Sequence, residues 1–429
     1  MKHYVLILSL AVLLGSCSKK VLKSYAEEAD IRYEESGNND ISNACCTESI
    51  NYAPDEAYPE HFPMKYLKVN FHFVFDDKDS QRLSDEFYER YAKMQIRKCN
   101  YRLSKNAKME LPPGNDTPVL PIPYRYVLDD RDGNGGLYFH SNSDLNYFNK
   151  DMRGKNSMTK PDQYNELGVH KKEVLNVFFM EHHPDSIASK TYKASACGIS
   201  GGHWVKIAAL HQKWKNCKDT ETPYHCIANK YFGLINHEIG HALGLGHTWK
   251  YGDGCDDTPK NENCFNVNYP NKPECDSREK VSNNMMDYNS LQSAITPCQL
   301  GKIYYNMSKD RGRQRPMLDD RWCRYDSEAS ISIPPEADLE WPSARDLSGD
   351  LILEAGSRLV IRCKVSLPKG AKVIVKPGAE LVLNSGKLYN DCDEEWEGVE
   401  LWKQGREKGR LVIQNAGKIE NVRDDALKL

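Results

Sequence analysis

The sequence predicts an α/β domain, a twisted sheet crossed by a histidine-bearing helix, followed by an all-β C-terminal module of solenoid type. Three observations carry this prediction. Strand-like and helix-like apolar patterns alternate between residues 66 and 307. A His-Glu-Ile-Gly-His run sits inside the helical pattern of residues 228–243. After Pro334-Pro335 the composition shifts, and Leu351–Ile361 is echoed by Val373–Leu383 at an offset of 22 residues.

The elements follow in order. Lys2 and His3 precede an apolar run from Tyr4 to Leu14, which ends in Leu14-Gly15-Ser16-Cys17. The apolar run is too short to span a bilayer and has the layout of an export signal. A cysteine directly after Leu-Gly-Ser resembles a bacterial lipobox, which implies cleavage before Cys17 and acylation of its thiol; the simpler alternative is a plain signal peptide. Residues 1–17 are therefore expected to be removed or processed, leaving an exported lipoprotein on the cell envelope or outer-membrane surface. Residues 18–62 are polar and are expected to form a tether or pro-segment.

A catalytic domain is expected over residues 63–325. Leu67, Val69, Phe71, Phe73 and Phe75 alternate with polar neighbours, which predicts a half-buried strand. Leu83 to Leu103 has helical spacing, and Ile122 to Leu128 reads as a second strand. Asp130-Arg131-Asp132-Gly133-Asn134-Gly135 has the chemistry of a hairpin turn and, less strongly, of a calcium loop. Val174 to Met180 is almost wholly apolar and is expected in the middle of a sheet. Cys197 to Ile207 suits an edge strand, and Gln299 to Met307 a last helix. Residues 340–429 form the expected β-repeat module, a stack of short coils or a small sandwich.

Composition narrows the function. The chain has 429 residues, 28% of them charged, and a formal net charge of −3. No broad basic surface is implied, so no nucleic-acid partner is expected. Fourteen cysteines fit an oxidising compartment, with connectivity unreadable from sequence and at least one thiol left over once Cys17 is set aside. Cys45 or Cys46 offers a thiolate for a latent metal site, although a disulfide or free pair is the plainer reading. His182, His183 and His225 are expected at the surface.

The chemistry concentrates at residue 237, where the chain reads His-Glu-Ile-Gly-His-Ala-Leu-Gly-Leu-Gly-His. His237 and His241 are one helical turn apart on one face, so both imidazoles can reach a single Zn²⁺. Glu238 lies beside the first ligand without occupying a ligand position. Gly244 can adopt positive φ, end the helix and send His247 back as a third ligand. Three protein ligands leave one coordination position open, as a catalytic zinc requires.

This extended motif resembles that of the metzincins, zinc peptidases with a methionine-bearing turn beneath the metal. Asn283-Asn284-Met285-Met286-Asp287-Tyr288 fits that turn; Met286 is the turn methionine, with Met285 as the competing choice. Tyr251-Gly252-Asp253-Gly254-Cys255-Asp256-Asp257-Thr258-Pro259, together with Cys298, is similar to the pappalysin family. The resemblance covers about residues 66–310. It implies an α/β metzincin-type zinc endopeptidase, Glu238 as general base, Tyr288 as oxyanion donor, and calcium at Asp253, Asp257 and Thr258. Two positions depart from the family: Cys255 replaces an apolar residue, and Asn289-Ser290-Leu291-Gln292 lacks the usual acidic cluster. Protein or peptide chains would be the substrates, laid along the edge strand near Ile199–Ile207. The competing function is a cell-surface binding or adhesion protein with a structural zinc; Glu238 argues for the enzyme, since a structural site does not need it.

Overall fold

The computed structural model describes residues 20–34, 46–76, 82–149, 157–190, 195, 197–249, 252–268 and 271–423. The export signal, Cys17 and Cys45 lie outside the described residues.

The first sheet is built on Lys65–Phe75 (β3), an eleven-residue strand. On one side it pairs in parallel with Leu175–Met180 (β6). On the other, Tyr124–Leu128 (β4) covers its first half and Leu137–Ser141 (β5) its second, both parallel to it. Trp204–Ala208 (β8) follows β6 in parallel, and Gly198–Ser200 (β7) closes the edge antiparallel to β8. This arrangement changes three expectations. β4 and β5 run in the same direction, so residues 130–135 form a loop between collinear strands rather than a hairpin turn. The apolar edge expected over 197–207 is a small hairpin, with only β7 at the free edge. And β3 is buried on both faces, Asn70 and His72 included, because Leu145, Phe148 and Trp204 cover the side away from the main core. Parallel sheets with long connections are normally covered this way.

Asp85–Leu103 forms the first long helix, begun by the Ser84 side chain, which accepts from the Phe87 N–H at 3.2 Å. It buries Phe87, Tyr88, Tyr91, Cys99 and Leu103. Pro223–Ala242 is the helix that carries the histidine motif, with Pro223 in the first turn, where its missing N–H costs no bond. Pro297–Ser308 is the last long helix and opens on a capping box between Thr296 and Gln299.

The C-terminal region is a parallel β-solenoid. Ile331–Ile333 (β9), Asp338–Trp341 (β10) and Arg345–Asp346 (β11) make the first coil. Leu351–Leu353 (β12), Arg358–Ile361 (β13) and Lys364–Ser366 (β14) stack on it in register. Lys372–Val375 (β15), Glu380–Asn384 (β16) and Lys387–Tyr389 (β17) form the third coil, and Leu351 stacks on Val373 as the repeat requires. Gly398–Gln404 (β18), Arg410–Gln414 (β20) and Lys418–Ile419 (β21) make the fourth, with Glu407–Lys408 (β19) folded back on β18. Leu, Ile and Val from successive coils fill the interior. Charges pair along the outside, as in Lys376 with Glu354 and Lys372 with Glu400, at 2.7 and 2.8 Å.

Within residues 18–62, expected as a tether or pro-segment, the described stretches are not a loose tether but fold against the rest of the chain. Val21–Tyr25 (β1) pairs antiparallel with β18, and Ile31–Glu34 (β2) pairs in parallel with β20. Ser49–Tyr52 packs on the last long helix, where Gly301 leaves no room for a Cβ against the Ser49 carbonyl. A strand added to a sheet edge is held by backbone bonds, and β1 is exposed at all five positions, so its sequence needs no apolar signature.

The two regions are joined through a buried ion cluster. Asp346 on β11 takes a bidentate contact from Arg315, at 2.6 and 3.0 Å, and an ion pair from Lys65 at the start of β3. Burial alone would raise Asp346, but Lys65 and Arg315 outweigh it and hold its carboxyl well below the ordinary range. The disulfides Cys46–Cys363 and Cys323–Cys392 cross the same junction. Cys46 is thereby committed to a covalent partner and is not a metal ligand.

Candidate active site

The active-site helix carries His237, Glu238 and His241 in its last two turns. It stops where Gly244 takes φ +101°, and a Cβ there would lie 2.3 Å from Asn306 Nδ2, which itself bonds the Leu243 carbonyl. Both constraints select glycine. The chain then reverses, and the three imidazoles meet. Their Nε2 atoms form a near-equilateral triangle: 3.1 Å from His241 to His237, 3.0 Å from His241 to His247 and 3.2 Å from His237 to His247.

The contact between His237 and His241 is not a hydrogen bond. His237 Nδ1 lies 2.8 Å from the Met285 carbonyl and His241 Nδ1 lies 2.8 Å from the Leu245 carbonyl. A carbonyl only accepts, so each Nδ1 must carry the ring hydrogen and each Nε2 a bare lone pair. Burial and the neighbouring imidazole of His241 push His237 down to about 3, and burial lowers His241. Neutral rings with converging lone pairs repel one another unless a cation lies between them. Tetrahedral Zn–N bonds of 2.0–2.1 Å place ligand nitrogens about 3.3 Å apart, close to the observed triangle. The residues present therefore fit a zinc ion, and the two carbonyls are the outer partners that fix ring orientation.

Met286 packs on the helix at Gly240, between the positions of His237 and His241. A Cβ on Gly240 would fall 2.5 Å from its sulfur, so the glycine lets the turn approach the helix. Met286, not Met285, is the methionine seated on the active-site helix; Met285 contributes its carbonyl to His237. The next residue, Asp287, was not singled out from sequence. It is buried, accepts from the Thr248 hydroxyl at 2.6 Å and from Asn261 at 3.0 Å, and so ties the methionine turn to the residue after His247. The only signal for it in the sequence is its place inside the Met-Asp-Tyr run. Tyr288 is 48% exposed, with its ring 4.8 Å from that of His247 and 5.5 Å from that of His237. Burial and the charge of Glu238 raise its phenol.

Glu238 is 5% exposed and faces β7, where a Cβ on Gly198 would lie 2.6 Å from its Cγ. Burial pushes its carboxyl up to about 8, and a cation at the histidines acts in the opposite direction. The edge strand thus passes directly over the carboxylate.

Residues 221–307 match the family model described as pregnancy-associated plasma protein-A. Over that span the chain is similar to the pappalysin metallopeptidases. The matched span holds the whole histidine triad, the methionine turn and Tyr288. Mature mirolysin from Tannerella forsythia, solved with a cleaved peptide, is 19% identical, with 59% of this chain and 95% of that one covered and a TM-score of 0.38. Mirolysin in complex with a compound gives 19% identity, 59% and 96% coverage and a TM-score of 0.40. A mutant Tannerella forsythia promirolysin gives 19%, 59% and 84%, with a TM-score of 0.39. No curated protein matches the chain.

The remaining expected residues are placed as follows. Asp253 accepts from Thr258 at 2.6 Å, from the Cys255 N–H at 3.1 Å and from Gln299 at 2.9 Å. Asp257 accepts from the Thr296 hydroxyl at 2.7 Å and the Cys298 N–H at 2.9 Å. Both carboxylates thus have protein donors and bind their loop to the start of the last long helix, assisted by the Cys255–Cys298 disulfide. His225 is exposed as expected, whereas His182 is buried, with Nε2 2.8 Å from the Ser195 carbonyl; the surface expectation for His182 is corrected. Replacing Gly244 by alanine should lower stability by about 1–2 kcal/mol from the left-handed backbone alone. It should also reduce the zinc retained after dialysis, because His247 follows that turn; full metal content and an unchanged unfolding midpoint would contradict this.

Proposed function

We propose that the chain is a zinc-dependent endopeptidase in which His237, His241 and His247 hold the metal and Glu238 is the general base. The observation that carries this reading is the Nε2 triangle of 3.0–3.2 Å in which His237 and His241 have their hydrogens committed elsewhere. A bound zinc ion supplies Lewis acidity toward water and the scissile carbonyl. Glu238 takes the proton from the attacking water and returns it to the leaving amine. Its burial beside β7 keeps the carboxylate out of bulk solvent and within reach of a bound peptide backbone. Tyr288, at the exposed side of the histidines, is suited to donate its hydroxyl to the oxyanion of the tetrahedral intermediate. A substrate would add to the free edge of β7 as a further strand, which favours extended peptide chains over small amides.

Extracellular proteins are the proposed substrates, and acylation of Cys17 the proposed membrane attachment; both rest on the export signal and on the five disulfides among the described residues. Calcium at Asp253, Asp257 and Thr258 would have to displace protein donors, so the proposal gives it a separate test: added Ca²⁺ must raise the unfolding midpoint of the zinc-loaded protein. The zinc assignment is tested by metal analysis and a casein assay. One zinc per chain, loss of cleavage with 1,10-phenanthroline and recovery on adding Zn²⁺ are expected. Substituting His241→Ala should drop zinc content to background; a fully loaded variant would remove His241 from the site.

A further inference from the structure

The first long helix, Asp85–Leu103, changes charge character half-way along. At its start and through its first half the cations have acids about one turn away: Arg82 pairs with Asp85, Arg90 with Glu86 and Lys93 with Glu89. That is the ordinary arrangement of a solvated helix face. From Arg90 to Met109 the sequence holds no Asp or Glu, yet Arg97, Lys98, Arg102, Lys105 and Lys108 follow one another. None of these takes part in an ion pair among the described residues. Arg97 and Tyr101, and beside them Lys98 and Arg102, are spaced four apart, so they form two adjacent rows on one face of the helix. Tyr101 is 62% exposed in that face. The helix dipole favours a cation in the last turn, which accounts for Arg102 but not for Arg97 or Lys98. The whole chain has a net charge of −3, so the strip opposes the average.

The strip runs on beside the candidate active site. Arg102 donates from Nη2 to the Leu291 carbonyl at 2.7 Å, and its guanidinium lies 5.2 Å from the ring centre of Phe232, on the helix that carries His237. Past the helix end the Ala107 N–H donates to the Ser293 carbonyl at 3.1 Å, and Asn283 Nδ2 donates to the Lys108 carbonyl at 2.8 Å. Residues 102–108 are thus bonded to both flanks of the methionine turn, whose Met285 carbonyl orients His237. Burial lowers Arg102, and the neighbour that acts against this is the Tyr101 phenol rather than a carboxylate. Glu110, the next acid along the chain, is held by Arg278.

We infer that the strip of Arg97, Lys98, Arg102, Lys105 and Lys108 is an exosite that holds an Asp- or Glu-rich stretch of the protein substrate, outside the residues flanking the scissile bond. This rests on the peptidase reading and names the class of substrate, a protein with an acidic segment near its cut. An extended chain covers about 3.3 Å per residue, so an acidic run roughly five to ten residues from the cut can lie along the strip. One exposed charge contributes little, but several of one sign raise the local concentration of an anionic segment and its rate of capture, and salt screens the effect. A bilayer is the less suitable partner. The apolar side of this helix, with Phe87, Tyr88, Tyr91 and Leu103, is buried in the core, and an interfacial helix needs that side for the lipid.

The test uses the full zinc-loaded chain and fluorogenic peptides that share one cleavable sequence. Each carries a tail of about ten residues on one side of the cut or the other, rich in Glu or with Gln at every Glu position. At low salt the Glu tail should raise kcat/KM at least about tenfold over the Gln tail on one of the two sides, through KM rather than kcat. The gap should close at about 0.5 M NaCl, where screening acts within a few Å. In R97E/K105E/K108E the ratio of Glu-tailed to Gln-tailed kcat/KM should fall to one or below. The Gln-tailed peptide reports any general loss of activity and the melting curve any loss of fold; the single changes R97E and K105E serve where the triple variant does not fold. Equal kcat/KM for the two tails in the unmodified protein would overturn the inference and leave the peptidase intact, as would a ratio that survives the charge reversal. Equal tails, with the unmodified protein but not the variant sedimenting on phosphatidylglycerol vesicles, would give the strip to a membrane surface instead. If the unmodified protein cuts none of the peptides, the peptidase reading falls. Fluorescence anisotropy of a labelled Glu tail then decides the strip alone: salt-sensitive binding that the variant loses upholds the capture of acidic chains, and no binding overturns it.

Discussion

Glu238→Gln should leave zinc bound and reduce kcat by about a thousandfold or more, at the upper part of the range for a lost general base. The substitution keeps the volume that Gly198 accommodates, and the three imidazoles are untouched, so neither packing nor metal loss offers a competing cause. Metal analysis and steady-state kinetics on one preparation check it. Zinc at one per chain with kcat within tenfold of the parent would take Glu238 out of the mechanism. Loss of zinc would instead make it a structural neighbour of the ligands. The expected pattern separates it from His241→Ala, in which metal and activity vanish together.

Asp346→Ala should be the most destabilising single change outside the metal site. It leaves Lys65 and most of Arg315 buried without their shared carboxylate, a situation that costs about 3–5 kcal/mol. Arg315 retains Asp391, so the loss falls mainly on Lys65. A free energy of urea unfolding lowered by less than about 0.5 kcal/mol, well below the cost of an uncompensated buried charge, would show that the cluster is replaceable. The apolar triple K65M/D346L/R315M should recover much of the loss, because it removes the three most buried charges and their desolvation penalty and leaves only the part-exposed Asp391. The cluster also sets an acid limit. In the unfolded chain Asp346 takes a proton near its ordinary value of 3.8, while in the folded protein it stays ionised. Below that value the unfolded state binds more protons, so stability falls as pH falls. Asp346→Ala should therefore flatten the stability profile between about pH 4.5 and 2.5, relative to the parent.

The catalytic half was largely legible in the sequence because its elements bury apolar residues at fixed periods and its chemistry uses an uncommon spacing. His237, His241, His247, Gly244 and Met286 all fall where the spacing puts them. The solenoid was legible from a single echo, since each coil places Leu, Ile or Val over the same residue types in the coil before. What was not legible depends on backbone pairing or on distant partners. The strands β1 and β2 are short and mixed in composition, Val-Leu-Lys-Ser-Tyr and Ile-Arg-Tyr-Glu, and they pair at sheet edges, so nothing local distinguishes them from a tether. The loop at residues 130–135 carries hairpin residues, and only the direction of β5 along β3 decides against a hairpin. Asp287 and Asp346 look like any acidic residue until Thr248, Asn261, Lys65 and Arg315 are brought beside them.

Because β1 and β2 close the far end of a solenoid whose coils come more than three hundred residues later, the peptidase domain is enclosed by the β-module in chain order. It is a guest inserted into its host, not a head with a tail attached. Cutting the polypeptide near residue 330 would strip two segments of their partners at once: the coils removed, and the early strands left with nothing to lie against. Trimming the first forty residues would bare the β18 and β20 edges to any passing strand. Neither end can be shortened as if it belonged to one half alone.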